Sequence, residues 1–239
     1  MNRPAIWSEQ KEILFEDNHL LIVNKTAGTL VQADETRDEP LSVKAAEYLR
    51  LKYKKPGNAF IGVCHRIDRP VSGVVVLAKT SKALSRLNEM FRDNHMHKTY
   101  WALVGKMPQE SEGTLVHWLM KDPMRNVTKA YAQKHPQGLR AELNYKVLGQ
   151  VGHRYLLEVN PITGRPHQIR VQLSTGLGTP ITGDVKYGAM APLPDLSIAL
   201  HARRLQFKHP VTQQEMDIVA PLPDAEVWDP IRSGAAVNL

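Results

Sequence analysis

Five uninterrupted apolar residues, Val74 to Ala78 (VVVLA), follow the polar knot CHRIDRPVSG in the first half of the chain. The run has strand length, and its three consecutive valines are stiff at χ1 and suit an extended backbone. Apolar side chains at both odd and even positions leave neither face for water, so this strand must lie inside a sheet covered on both sides. Immediately after it, Thr80 or Ser81 can cap a helix reaching about Phe91, with Ala83, Leu84, Leu87 and Phe91 on one face.

The rest of the pattern builds around that strand. Residues 12–24, EILFEDNHLLIVN, place two apolar runs about a turn at Asp17 and Asn18 and predict a hairpin. Leu41, Ala45, Tyr48 and Leu49 keep a helical period that Pro56-Gly57 stops. TYWALVGK (99–106) and RYLLEVNP (154–161) read as strands. RVQLSTGLGTPITGDVKYGA is rich in glycine and proline turns, LHARRLQFKHP returns to a strand-like alternation, and EMDIVAPLP follows. The class is α+β with many strands. No internal repeat and no linker composition divides the 239 residues, so one domain with its core at about 12–222 is expected.

Charge and cysteine usage narrow the partners. Lys and Arg exceed Asp and Glu by 31 to 24, and a pI near 9.5 suits contact with polyanions, RNA among them, although a modest excess of this kind also serves solubility alone. A single cysteine, Cys64, excludes an intramolecular disulfide framework and a cysteine-rich zinc site, and fits a reducing cytoplasm. The N-terminal stretch lacks the apolar core of a signal peptide, and no segment has the roughly 18 apolar residues of a membrane span, so a cytoplasmic protein is expected.

Three groups of residues carry candidate chemistry. Asp68 stands between Arg66 and Arg69 in HRIDRPVSG, at the mouth of the valine strand; the arginines would favour its charged form, as a nucleophile or ligand requires, while an aspartate in a turn also serves to bond backbone amides. Arg165, His167 and Arg170 crowd PITGRPHQIRVQL, a turn leading into a further apolar alternation; they can grip phosphate or fix a carboxylate, or stand as solvated loop cations. Tyr100 opens a strand behind basic residues and can stack on a base or simply pack. His95 and His97, or His65 with Asp68, have no convincing third ligand, so no metal is expected. Dinucleotide, Walker and nucleophile-elbow motifs do not occur.

Taken together, EDNHLLIVNKTAG (16–28), HRIDRPVSGVVVLAK (65–79), KTYWALVGK (98–106) and PITGRPHQIRVQL with GTPITGDVKYG (161–188) resemble, in order and spacing, the RluA family of pseudouridine synthases. The resemblance implies a mixed, largely antiparallel β-sheet flanked by helices and loops, with the active-site cleft across the sheet. It implies an enzyme that isomerises a uridine of tRNA or rRNA without a cofactor, and Asp68 as its essential carboxylate, reacting with the ribose, with the base, or in proton removal at C2′. Tyr100 would be the active-site tyrosine stacked on the base, Arg170 the cation paired with Asp68, and Arg66 an RNA contact, with Arg69, Arg165 and His167 as further RNA-binding residues. Thr26, Ile67, Val71 and Gln172 depart from common family residues without removing a catalytic group. The expected form lacks an N-terminal S4 domain, is a monomer, and leans slightly toward transfer RNA. The rival reading is a non-catalytic RNA-binding protein on the same scaffold.

Overall fold

The computed structural model describes residues 12–234. In chain order its strands and helices are β1 (Ile13–Glu16), β2 (Leu20–Lys25), α1 (Leu41–Lys52), β3 (Gly62–Val63), β4 (Ser72–Ala78), α2 (Ser81–Arg92) and β5 (His97–Val104). There follow β6 (Glu112–Asp122), β7 (Val127–Tyr131), β8 (Leu139–Val151), β9 (Arg154–Pro161), α3 (Gln168–Leu177), β10 (Leu200–Lys208) and β11 (Glu215–Val219). A 3₁₀ turn at Val185–Tyr187 and a short helical ending, Glu226–Trp228 and Asp229–Arg232, complete the described chain. The class is the α+β arrangement expected, and the strand pairs whose registers are resolved are antiparallel. The described residues fall into two compact units, 12–97 with 202–221, and 98–201 with 222–234.

In the first unit the valine strand β4 is central, with every residue buried. β2 pairs along it from Leu20↔Ala78 to Lys25↔Gly73, β1 flanks β2, and β3 and β10 border the other edge of β4. Leu20, Ile22, Val74, Val76 and Ala78 pack against Ala83 and Leu87 of α2 with Met96, Leu205, Phe207 and Ala220. Leu21, Val23, Val75 and Leu77, on the opposite face, are equally closed to water. The unbroken apolar run therefore does what its composition demands. Thr80 caps α2 as expected, its hydroxyl accepting from the Ala83 amide at 3.1 Å. The hairpin at Asp17 is an Asx turn in which the Asp17 Oδ1 accepts from the His19 and Leu20 amides. Gly73, which opens β4, has φ +115°, and a Cβ there would lie 2.3 Å from the Ala202 carbonyl oxygen. Only glycine permits that approach.

The second unit is an antiparallel sheet in the order β5-β9-β8-β6-β7. Strands β6, β7 and β8 lie between the two strands predicted at 99–106 and 154–161, where no element is expected. Their signal was present in β8, where Ala141, Leu143, Tyr145, Val147 and Val151 keep to one buried face. The alternation read after His167 is instead the helix α3, packed with Leu119, Ala141 and Tyr187 through Val171. The physical reason is that Gln168, Ile169, Arg170, Val171, Gln172 and Leu173 are all buried, so no amphipathic period could appear. The polar members that imitate a period of two are held inside by their own hydrogen bonds. Gln168 Oε1 accepts from the Thr163 hydroxyl and the Arg165 amide, and Gln172 Nε2 donates to the Leu115 carbonyl. Among the described residues no helix is long and apolar enough to cross a membrane.

Candidate active site

Two clusters of functional side chains emerge, one in each unit. In the first, the segment between β3 and β4 carries Asp68 on a tight turn closed by the Val71 amide donating to the Asp68 carbonyl at 3.0 Å. Ile67 and Val71 on either side are buried, which pins the turn while Asp68 stays half-exposed. The carbonyl of Arg69 accepts from the Gly28 amide at 2.8 Å, and the Arg69 Nε donates back to the Gly28 carbonyl at 3.0 Å. The Arg69 Nη2 also pairs with Asp38 at 2.6 Å, so this arginine joins the Asp68 turn to the loop after β2. Arg66 is exposed and reaches Gln32 at 3.3 Å.

Lys25, the last residue of β2 and not among the residues the sequence singles out, is the most unusual group of this cluster. It is 1% exposed, and its Nζ donates to the carbonyls of Thr26 (3.0 Å), Thr29 (2.8 Å) and Arg69 (3.2 Å). Three N–H bonds and three carbonyls match the geometry of an ammonium. Burial works against that charge and pushes the amine down to about 7, helped by the Arg69 cation and opposed by the Asp68 carboxylate. A lysine ending the apolar run LLIVNK was the signal. Cys64 is inert by contrast, since burial pushes its thiol up to about 12, and it donates to the Val76 carbonyl. His65 accepts from the Val76 amide and stacks on Phe91, so it is a packing residue of the sheet edge.

In the second unit Tyr100 lies on β5 opposite Val159 of β9 and is half-buried. Arg170, on α3, is 5% exposed and meets Asp184, 1% exposed, in a two-point pair: Nε to Oδ2 at 2.7 Å and Nη2 to Oδ1 at 2.8 Å. The Tyr187 ring lies below the same guanidinium, 5.0 Å from Cζ to the centroid. The Tyr187 hydroxyl accepts from the Thr128 amide at 2.9 Å and sits 2.6 Å from His167 Nδ1. That short contact ties the His167 ring to the same tyrosine whose ring lies against Arg170. His167 adopts a left-handed conformation, φ +54°, that turns the chain into α3. Arg165 donates from Nε to the Arg140 carbonyl at 3.2 Å. His167 and Arg170 thus share Tyr187, Arg165 stands beside the helix start, and Tyr100 belongs to the sheet of the same unit. Asp184 and Tyr187 belong to the GDVKYG stretch, where the two glycines mark a turn and nothing local marks the burial of the aspartate. Among the described residues no group of three or more His, Cys, Asp or Glu side chains is placed to hold a metal ion.

A family model described as RNA pseudouridylate synthase matches residues 19–175. "Ribosomal large subunit pseudouridine synthase C" of Vibrio vulnificus is 35% identical over 219 residues, covering 89% of this chain and 66% of that protein. The protein of the same description from Yersinia pestis is 36% identical over 216 residues, covering 88% and 65%. The chain therefore spans just under two thirds of the length of these relatives. Among solved structures, "Human RNA Pseudouridylate Synthase Domain Containing 4" superposes with a TM-score of 0.75 at 26% identity, covering 92% of each chain.

Proposed function

The chain belongs to the RNA pseudouridylate synthase family, as its RluA-like motifs led one to expect, and from that premise we propose that it converts uridine in RNA to pseudouridine. The observation that carries the proposal is the family match over 19–175, a span that includes Asp68, Tyr100 and Arg170. In the reaction the N1–C1′ bond breaks and a C5–C1′ bond forms, the C5 proton leaves, and N1 takes up a proton. Atoms and electrons balance without an oxidant or reductant.

Asp68 is proposed as the catalytic carboxylate, Tyr100 as the ring against the target base, and Arg170 as the cation that keeps a carboxylate charged once water is expelled. The tight turn that holds Asp68 supports this role, because a reacting group works best when its backbone is fixed before substrate arrives. Arg66, Arg69, Arg165 and His167 are proposed as RNA contacts; the exposure of Arg66 fits that role directly, and Arg69 combines it with its bond to Asp38. The substrate we favour is large-subunit ribosomal RNA, the substrate for which the similar bacterial proteins are named, and this outweighs the lean toward transfer RNA. A cytoplasmic, monomeric enzyme is the accompanying proposal.

The test uses RNA transcribed with tritium at uridine C5, since product formation releases that label. The unaltered protein releases tritium, while Asp68→Asn loses at least about 1000-fold in rate and binds the same transcript within about three-fold. An active Asp68→Ala protein overturns the assignment. Failure of the unaltered protein on both ribosomal and transfer RNA favours the non-catalytic binding reading.

A further inference from the structure

The turn GDVKYG supplies two anchors to one arginine. Asp184 takes the Nε/Nη2 edge of Arg170 at 2.7 and 2.8 Å, which fixes rotation in the guanidinium plane. Tyr187, three residues on, lies under the face, which fixes the tilt of that plane. Together the contacts determine where the remaining Nη1 edge of the fork points, away from Asp184. A lysine could meet the ring face as a point charge but could not fill the two-point fork, so the arrangement as a whole is specific to a planar cation.

The turn is itself rigid. Its ends are Gly183 and Gly188, with φ of +87° and +102°, and a Cβ at Gly183 would press within 2.8 Å of Leu193 Cγ. Within it the Tyr187 and Ala189 amides both donate to the Asp184 carbonyl at 3.0 Å, and the Ser174 hydroxyl of α3 donates to the Tyr187 carbonyl at 2.6 Å. The Tyr187 hydroxyl is also tied to β7 through the Thr128 amide. Burial pushes that hydroxyl above its usual range, which keeps it uncharged. An ion pair this deeply buried is poor value as a stabilising device, since packed apolar residues of similar volume serve as well. What apolar residues cannot do is aim a charge.

We propose that Asp184 and Tyr187 are positioning residues that aim Arg170 for the isomerisation, with the Tyr187 hydroxyl also holding the His167 ring in place through Nδ1. The inference rests on the reading that Arg170 acts in that reaction. Tyr187→Phe keeps the ring and removes the hydroxyl, while Tyr187→Leu removes both. With tritium-labelled large-subunit ribosomal transcript, Tyr187→Leu lowers kcat roughly 30-fold with KM within about two-fold, and Tyr187→Phe lowers kcat roughly three-fold. Asp184→Glu, which keeps the charge and shifts it by one methylene, lowers kcat roughly ten-fold while still melting cooperatively, and covers the case of a Leu variant that fails to fold. The ¹⁵N-coupled Nε–H resonance of Arg170, slow to exchange in the unaltered protein and in Tyr187→Phe, broadens in Tyr187→Leu. Equal kcat in the Leu and unaltered proteins, equal damage by Phe and Leu, or an unshifted kcat in Asp184→Glu overturns the proposal. If the unaltered protein is inert on RNA, the functional reading falls by itself and the Arg170 resonance still decides the positioning claim.

Discussion

Replacing Lys25 by methionine tests the loop architecture behind Asp68. Methionine fills much of the lysine's volume but donates nothing, so the carbonyls of Thr26 and Thr29 lose the donors now 3.0 and 2.8 Å away. The Arg69 carbonyl keeps the Gly28 amide at 2.8 Å. A buried polar group left unpaired costs about 1–3 kcal/mol; Thr26 is exposed and water can reach its carbonyl, whereas Thr29 is half-buried. Removing a buried charge returns part of that loss, so the net destabilisation expected from urea unfolding is about 1–3 kcal/mol. The amides of Gly28 and Val71, which close the loop, then exchange faster with deuterium. A second readout is pH. The folded-state pKa of Lys25 is lowered to about 7 from 10.5, so between those values the unfolded chain holds a proton the folded one has shed, and stability from this group rises with pH. Lys25→Met removes that rise. A variant with a urea midpoint and a pH slope indistinguishable from the parent refutes the account.

Glu16 gives a prediction of opposite chemistry: burial alone raises its pKa, but hydrogen bonds from Lys79, Tyr53, Lys52 and Tyr48 overcome this and hold it down to about 2. Its contribution to stability is complete above pH 4.5 and is lost as pH falls toward 2, so Glu16→Gln is least stable relative to the parent above 4.5, and urea melts at stepped pH should show the gap closing in acid. Gly73→Ala drives a Cβ to 2.3 Å from the Ala202 carbonyl oxygen at φ +115° and should cost about 3 kcal/mol or more; a thermal midpoint within 2 °C of the parent contradicts the packing described.

Much of the first unit was legible because its elements announce themselves locally. The valine run, the Thr80 cap and the Asp17 turn each depend on residues within a few positions of one another, and each appears where its chemistry required. Helix α3 was misread because an element buried on every side has no periodicity to display. The site divides in the same way. Asp68, Tyr100 and Arg170 stood out as charged or aromatic residues beside turns and strands, and their motif context marked them. Lys25, Asp184 and Tyr187 did not stand out, since a lysine at a strand end or an aspartate between glycines ordinarily faces water.

By itself, then, the amino-acid sequence determined the central strand, the caps and turns around it, the α+β class, and the motif set that places the chain in its family. Those follow from side-chain volume, branching and short-range hydrogen bonding, which act within a few residues. Tertiary structure alone decided that Lys25 closes the Asp68 loop across 44 positions of chain and that Arg170 rests between Asp184 and Tyr187. The physical reason is that a buried charge is tolerated only where several partners converge on it, and such convergence exists only once segments distant in sequence have packed.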